Sequence, residues 1–440
     1  MRLPNTCAPV VSLAFANMTS RALFSARAGI MAPILDSAAP ERNQDLFVNR
    51  GKVKTIPTVL GEEILEPVQG AGPQTLPAIE PRFEFQKEGD LPIRCYLEII
   101  VSAITLGGGG ATFVRLVDFP GVFLIDRIEE HSGSQLVHTI HPEYTMHCRR
   151  KDYNDHKRFQ FDQLVGGNVL AATRSANAAA EQRFFLPIHH HWHGNDGAAP
   201  KLYGLANKLE FRVFLRRNYD EVLQTDGALA PNAFTVQCRL HTTLVHQLGV
   251  TRNMHVALTQ RPGGLAHLYD HIQFDRGHRI TAGDTQLTVQ LRNFNLACKT
   301  LVILMRRATD DTALAREYNN FDQALIDNVE FEITSNSLDI IRRRNAQFRG
   351  LIDHYDVWAG SYGRDAIFPG DKPITYSFQY KPLMKNAITN WFDLGSTATP
   401  TLRIFSTAPG GFPEDRIVDV MAINYGVIQE EGGRIVRVFS

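Results

Sequence analysis

Period-two alternation of apolar and polar residues is the feature that most constrains how this chain can fold. The clearest example is residues 208–216 (KLEFRVFLR), where apolar residues occupy the odd positions and charged residues most of the even ones. Such alternation predicts a half-buried β-strand. Phe214 interrupts the polar face, which indicates that this face is partly covered as well.

Further strand candidates recur along the chain, with turn residues between them, such as the FPG triplet at 119–121. In the first half they are residues 95–106, 112–118, 122–128, 134–140 and 234–246. In the second half they are residues 267–274, 287–291, 301–305, 329–333, 374–380, 402–404, 417–428 and 435–439. This spacing predicts β-sandwiches or barrels. Two β-rich halves of similar length indicate a duplicated sandwich, although no residue-level repeat is visible.

Length and charge exclude several classes of protein. A chain of 440 residues is too long for one ordinary core and predicts two or three domains. Lys plus Arg and Asp plus Glu are equal at 46 each, so no global field attracts nucleic acid. We therefore expect neither a genome-coating role nor sequence-specific nucleic-acid binding. No apolar run approaches the roughly 20 residues of a membrane span.

The pattern divides the chain into three parts: an extended N-terminal arm at 1–80, a first sandwich at 81–255 and a second at 256–440. Frequent prolines between residues 36 and 81 disfavour helices and central strands. Residues 1–35 lack acids and contain Arg2, Arg21 and Arg27, a composition that resembles an organellar transit peptide. We favour a flexible arm instead.

Irregular segments interrupt both halves. Residues 141–180 predict a long inserted loop with short helices, whose basic triplet Arg149, Arg150 and Lys151 is expected to form a solvated face beside neighbouring acids. Residues 348–355 have helical spacing. Residues 107–110 are four glycines without the Lys-Ser/Thr of a phosphate loop, so they predict a hairpin turn, and residues 262–264 (PGG) predict a hinge.

The five cysteines are widely spaced and odd in number. No two of them form a CxxC pair. We interpret them as small buried hydrophobes in a reducing compartment.

The segment around residue 190 resembles a known family. Residues 186–188 (LPI) with Trp192, then residues 201–205 (KLYGL), then the strand at 210–216 are similar to the "LPL–FW" and "LPL–AL" segments of double jelly-roll major capsid proteins of double-stranded DNA viruses. Residues 118–121 (DFPG), followed by 124–128 (LIDRI), resemble an early strand of that family.

The resemblance continues near the end of the chain. Residues 376–378 (YSF) with Pro382 and residues 390–392 (NWF) are followed by residues 400–404 (PTLRI) and 424–428 (NYGVI), in the order that the family shows. Together with the first-half match, the similarity covers roughly residues 90–440.

The resemblance implies an all-β fold of two tandem eight-stranded antiparallel jelly rolls, with helix-bearing loop insertions and the extended arm. It implies a structural capsid protein of the virion, assembled inside the host cell, and not an enzyme. The implied partners are two further copies in a homotrimer, neighbouring capsomers, and minor capsid, penton or cement proteins. An internal membrane or its proteins is the implied partner of the arm.

We expect the trimer to use the loops at 141–183 and 306–373. Phe214 and Phe405, at nominally outward positions, are expected to be buried by a partner.

The alternative is an enzyme, a bicupin-type metal-dependent oxygenase that uses His189, His190, His191 and His193. The cupin pattern requires a glycine six residues before its H-x-H and a glutamate shortly after it. Position 183 is Arg, and no Glu occurs between His193 and Glu210. We therefore assign no catalytic, cofactor-binding or metal residues and no cofactor, and interpret the cluster as a polar, pH-sensitive loop or interface.

Overall fold

The computed structural model describes residues 59–86, 90–107, 111–193, 198–247, 249–261, 264–321, 323–335, 338–348, 373–379, 390–395 and 400–438. The strands of the first half are β1 (Val59–Leu65), β2 (Arg82–Glu84), β3 (Leu91–Val101), β4 (Val114–Leu116), β5 (Ile125–Ser132), β6 (Gln135–Ile140), β7 (Gln182–Pro187), β8 (Leu209–Leu215), β9 (Leu223–Thr225) and β10 (Val236–His246). Those of the second half are β11 (Leu265–Ile280), β12 (Gln286–Gln290), β13 (Ala297–Arg307), β14 (Glu330–Ser335), β15 (Leu338–Asn345), β16 (Ile374–Ser377), β17 (Phe392–Asp393), β18 (Thr401–Phe405), β19 (Arg416–Glu431) and β20 (Arg434–Arg437).

The helices are few and short. They are α1 (Pro120–Phe123), α2 (Pro142–Asp152), α3 (Asp155–Val165), α4 (Ala171–Asn177), α5 (Gly249–Thr259) and α6 (Gln323–Ile326). Within the described ranges, no helix is long and apolar enough to cross a membrane. The predicted glycine turn, the predicted hinge and the predicted helix fall largely on residues 108–110, 262–263 and 349–355, which lie outside the described residues.

Eight strands in each half form two four-stranded antiparallel sheets. The sheets of the first half have the orders β1-β10-β3-β7 and β2-β8-β5-β6, and those of the second half β11-β19-β13-β16 and β12-β18-β14-β15. With the additional strands β4, β9, β17 and β20 set aside, counting the core strands of each half from one to eight gives 1-8-3-6 and 2-7-4-5 in both. Two such Greek-key sheets form a jelly roll. The predicted tandem pair of eight-stranded jelly rolls is confirmed.

The two sheets of the first sandwich pack around a shared apolar core. On β10, Val236, Cys238 and Leu240 are buried, while the residues between them are half-exposed, as the alternation predicts. From the opposite sheet, Phe211 on β8 is fully buried and packs edge-to-face on Phe85 with 5.2 Å between ring centroids. The alternating strands of the sequence therefore supply the inner faces of the sandwich.

Strand β1 lies inside the range that the sequence assigns to the arm. It pairs antiparallel with β10 along its whole length, from Val59 opposite His246 to Leu65 opposite Leu240. β1 is the edge strand of its sheet, and the prolines at 67 and 73 follow it. Residues 59–65 therefore belong to the sheet of the first sandwich, a strand that sequence reasoning did not predict.

In the sheet of β11, β19, β13 and β16, the central strands β13 and β19 are buried on both faces. Leu301 and Ile303 of β13 pack in the core of the second sandwich, whereas Val302 and Leu304 pack in the core cluster of the first half. This explains the continuous apolar run at 301–305, because a strand that is covered on both faces does not alternate. The two sandwiches are thereby joined through this sheet.

The insertion between β6 and β7 contains α2, α3 and α4, in agreement with the predicted helix-bearing loop. The prediction that Arg149, Arg150 and Lys151 form a solvated face is wrong, since all three are buried. The Arg149 guanidinium donates two hydrogen bonds of 2.6 Å to the Asp162 carboxylate on α3. Its charge is therefore paired inside a helix–helix contact, which the neighbouring sequence does not reveal.

The FPG triplet at 119–121 differs from the predicted tight turn between two strands. Phe119 has a positive φ of 53°, and the helical turn α1 follows it, so β5 begins later than predicted. β4 pairs with β9 and not with β5. Pro120 suits the first helical position. At Gly121 a Cβ atom would lie 2.9 Å from Cβ of Phe184, so glycine permits the close approach of α1 to β7.

The four described cysteines, Cys95, Cys148, Cys238 and Cys298, are buried and none is in a disulfide. Burial raises the pKa of the thiols of Cys95, Cys238 and Cys298 to about 12. These thiols stay protonated at neutral pH and behave as small hydrophobic side chains, as the sequence predicts. Cys7 lies outside the described residues.

Candidate functional site at the junction of the sandwiches

The histidine-rich loop that follows β7 is anchored by Trp192. Its indole is fully buried and lies parallel to the ring of Phe211, with 6.0 Å between centroids and 12° between planes. The imidazole of His190 stacks on the same indole at 3.7 Å. The backbone N–H of His193 donates to the carbonyl of His190 at 2.9 Å and closes a turn. The loop is therefore part of the packed interior.

The histidines of this loop contact different neighbours. Nε2 of His189 lies 3.2 Å from the hydroxyl oxygen of Tyr153, whereas Nδ1 of His191 lies 2.5 Å from the Glu130 carboxylate on β5. Across the part of the chain that the structure describes, no group of three or more His, Cys, Asp or Glu side chains could hold a metal ion. The bicupin oxygenase alternative is not supported.

The loop borders a polar cavity of about 50 Å³ between the two sandwiches. β6, α2 and the loop line it from the first half, and β11 and β19 line it from the second. The lining residues that matter most are His138, His147, Lys151, His191, Tyr269 and Asp270. The sequence cluster therefore lies at a junction and not at an outer surface.

Polar and aromatic contacts cross the junction at the cavity. The Tyr144 hydroxyl of α2 donates to the Asp270 carboxylate of β11 at 3.2 Å, and the Lys299 ammonium forms an ion pair with the same carboxylate. The ring of His138 on β6 packs edge-on against Tyr269, with 5.4 Å between centroids. These contacts bring α2 and β6 against β11.

Ion pairs flank this contact region on two sides. The Arg276 guanidinium of β11 lies 2.9 Å from the Glu143 carboxylate of α2. Despite the burial of Glu143, this cation keeps the pKa of its carboxyl below the ordinary value. On the other side, the Lys201 ammonium lies 3.6 Å from the Glu430 carboxylate. Burial raises the pKa of Glu430, and the charge of Lys201 offsets part of this increase. Charge pairing thus accompanies the aromatic contacts.

Burial decides the protonation of the junction histidines. It lowers the pKa of His138, His147 and His190 well below the ordinary 6.5, and nearby His191, Lys151 and His193, respectively, lower it further. An imidazolium without water around it loses its hydration energy, so the neutral form is favoured.

His271 on β11 behaves in the same way as these three. Burial and the Arg437 guanidinium at 3.1 Å lower its pKa to about 4. These four imidazoles are therefore neutral in the folded protein at pH 7.

Sequence reasoning found only the histidines of the loop. His267 and His271 on β11 carried a usable signal, because they are separated by an even number of residues and lie on the same face of the strand as Tyr269. His138 and His147 carried none. Only the packing of β6 and α2 against the second sandwich brings those two residues to the cavity.

Outside the junction, apolar side chains are exposed at several places, among them the edge strand β1 and the insertion. On the edge strand β1, Leu60 and Ile64 are 64% and 58% exposed. On the insertion, Phe159 of α3 is 56% and Leu170, which precedes α4, is 77% exposed. Exposed apolar residues on an edge strand and on a projecting helix are typical of association surfaces.

Phe214 and Phe405 are half-buried by their own chain. The Arg127 guanidinium carbon lies 3.8 Å from the ring centroid of Phe214, and that of Arg343 lies 4.0 Å from the centroid of Phe405. An arginine of the same chain therefore covers part of each ring, and burial of the rest by a partner stays a prediction.

Comparison with known proteins gives matches at the level of structure. No family model matches the chain, and no curated protein does. The chain is similar to VP54 of PBCV-1, fitted into a cryo-EM reconstruction of the virophage Sputnik, with a TM-score of 0.68 and 14% identity over 89% of this chain and 99% of that one. It is similar to the quasi-atomic model of the PBCV-1 virus capsid, with a TM-score of 0.67 and 15% identity over 89% and 99% of the two chains.

The Faustovirus major capsid protein is also similar, with a TM-score of 0.62 and 10% identity over 96% of this chain and 99% of that one. At these identities the similarity shows the fold. The chain has the double jelly-roll fold of viral major capsid proteins, as the sequence resemblance implies.

Proposed function

We propose that the protein is a structural major capsid protein of a double-stranded DNA virus, with its place in the virion and without enzymatic activity. The observation that carries this proposal is the pair of jelly rolls with identical strand order, similar to PBCV-1 VP54 over 99% of that chain. A fold alone does not define a function. Here the junction offers no catalytic constellation among the described residues, and the exposed apolar residues favour association.

The proposed domains are residues 81–255 and 256–440, with residues 59–80 joined to the first through β1. Each sandwich forms one lobe of similar topology. Three chains around a threefold axis place six lobes in a nearly hexagonal block, which can tile a flat facet of an icosahedral shell. Closed cyclic symmetry is the usual outcome of self-association, and the formal net charge of zero removes long-range repulsion between copies.

The insertion helices and β1 are the proposed contact surfaces of the capsomer. Phe159 and Leu170 project from the first sandwich, in the loop that the sequence assigns to clasping a neighbour. Neighbouring capsomers and minor capsid, penton or cement proteins are the further partners of this proposal, and the arm at 1–58 is the segment proposed to reach an internal membrane or its proteins.

Light scattering on the purified protein tests the trimer. We expect about three times the chain mass of 49.3 kDa, stable on dilution to low micromolar, because obligate interfaces exceed roughly 2,000 Å². The double variant Phe159→Glu/Leu170→Glu should give monomers, whereas Val438→Glu, at an exposed apolar position on the second half, should leave the trimer intact. A wild-type monomer at every concentration and salt, without larger particles in electron micrographs, contradicts the proposal.

A further inference from the structure

Three histidines are buried between the two sandwiches, in surroundings that disfavour the protonated imidazolium. His138, His147 and His190 are each less than 5% exposed. Within the described residues, neither ring nitrogen of His147 has a hydrogen-bond partner, and Nδ1 of His138 and of His190 has none. A buried imidazole without partners is destabilised by protonation, because the new charge has neither water nor a hydrogen-bond acceptor around it.

The charged groups around these histidines are arranged so that a further proton adds to positive charge. The cations are Arg150 and Lys151 on α2, Lys201, Lys299 on β13 and Arg437 on β20. The carboxylates that face the junction are Glu130, Asp152, Asp270 and Glu430.

Three of these carboxylates are already engaged. Asp270 is bound by Lys299 and Tyr144, and Glu430 is paired with Lys201. Glu130 contacts His191. The surrounding charges therefore act, on balance, against a positive charge on His138, His147 or His190.

The position of the histidines makes the effect local. His147 lies on α2, His138 on β6 and His190 in the loop, and all three line the cavity against β11. The apolar core of the second sandwich, around Leu301, is a separate cluster, whereas the core of the first, around Phe211, extends to the junction through Tyr144 and Tyr269. A cavity of about 50 Å³ has room for about three water molecules, so protons reach the junction without unfolding of either core.

We propose that acid opens this junction: protonation of His138, His147 and His190 separates α2 and β6 from β11, while the core of each sandwich stays folded. The device is independent of the assembly that the chain enters. In a shell built of such chains, it allows each subunit to loosen at its centre when the surroundings become acidic.

The sign of the effect follows from the lowered pKa values. Above pH 6.5 the histidines are neutral in both the closed and the open junction, so the equilibrium does not depend on pH. Below pH 6.5 the open junction takes up protons that the closed junction excludes. Each histidine then favours opening about tenfold per pH unit, until the pH reaches its pKa in the closed form.

Acids elsewhere act in the opposite direction on global stability. Burial raises the pKa of Asp118 and of Asp310 to about 6, so these carboxyls take up protons in the folded state as the pH falls. A melting temperature adds all of these groups together. Local hydrogen exchange, corrected for the intrinsic effect of pH, isolates the junction.

The test is hydrogen exchange of the full-length protein at pH 7.5, 6.5 and 5.5. In the wild type we expect peptides from α2 and β11 to lose protection below pH 6.5, while peptides from β10 keep theirs. Between pH 6.5 and 5.5, the double variant His138→Gln/His147→Gln should lose about thirtyfold less protection than the wild type, because each histidine with an ordinary pKa of 6.5 in the open junction contributes about five- to sixfold over this interval. His156→Gln, at an exposed histidine on α3, should behave as the wild type.

Two results overturn the proposal. One is equal loss of protection in β10 and α2 of the wild type, because the acid effect is then global unfolding. The other is a double variant with the same pH dependence as the wild type. If the double variant does not fold, the single variant His147→Phe keeps the shape of the ring without its proton site and should lose about five- to sixfold less protection than the wild type over this interval. The wild-type comparison of α2 with β10 does not depend on either variant.

Discussion

The central sheets of the two sandwiches have the same strand order and different surroundings. In the first, β10 keeps a strict alternation, and outward side chains such as Gln237 and His241 are half-exposed. In the second, β19 takes the same place in the sheet and is buried at every residue from Arg416 to Gly426. β10 therefore has one buried face, whereas β19 has two.

This difference shows that a duplicated topology does not produce duplicated burial. The second face of β19 and β13 is covered because the first half, with its insertion helix α2, packs against it. The same position in the fold therefore selects polar residues in one half and apolar residues in the other. This accounts for the lack of a residue-level repeat between two halves that share a strand order.

The largest expected effect is a difference in the stability loss caused by a charge on β19 and on β10. Met421→Asp on β19 places a charge at a fully buried position against the first half, and we expect a loss of more than about 4 kcal/mol in the free energy of unfolding. Gln237→Asp on β10, the matching strand of the first half, should change it by less than about 1 kcal/mol. Urea denaturation measures both. Similar losses for the two variants contradict the difference in burial.

The second prediction concerns the helix that covers the second half. Arg149→Met leaves the Asp162 carboxylate buried without its guanidinium, and we expect a loss of about 3–5 kcal/mol in the free energy of unfolding. The double variant Arg149→Met/Asp162→Leu should recover most of this loss, because no uncompensated charge remains. Lys208→Met, whose ion pair with Glu84 lies at the surface, is the control and should change little. If the double variant is no more stable than Arg149→Met, the loss does not come from the unpaired charge.

The smallest expected effect compares outward faces, where the two halves are alike. Phe214→Ala and Phe405→Ala each remove a half-buried ring that an arginine covers, at 3.8 and 4.0 Å. We expect a loss of about 1–2 kcal/mol for each in thermal or urea denaturation. A variant that dissociates the oligomer without this loss shows that a neighbouring copy, and not the arginine, covers the ring.

The sequence predicts the fold well because, in a strand with one buried and one solvent-exposed face, apolar and polar residues alternate. β8, β10, β12 and β14 follow it, and the apolar run at 301–305 marks the doubly buried β13. The junction could not be predicted in the same way. The burial of Arg149 depends on the packing of α2 against α3, and the meeting of His138 with Tyr269 depends on the packing of the first half against the second. β1 was not predicted because it is a short edge strand, and the many prolines around it indicate irregular structure.

The pairing of the first strand of each sandwich with its last long strand has a consequence for synthesis of the chain on the ribosome. β1 cannot pair until β10 has been synthesised. β11 and β13 cannot complete their sheet until β19, which lies between them, has been synthesised. The first lobe can close while the second is still being translated, but the second cannot close until nearly all of the chain has emerged. A nascent chain interrupted before Arg416 leaves two long strands with open edges, a ready target for chaperones and proteases.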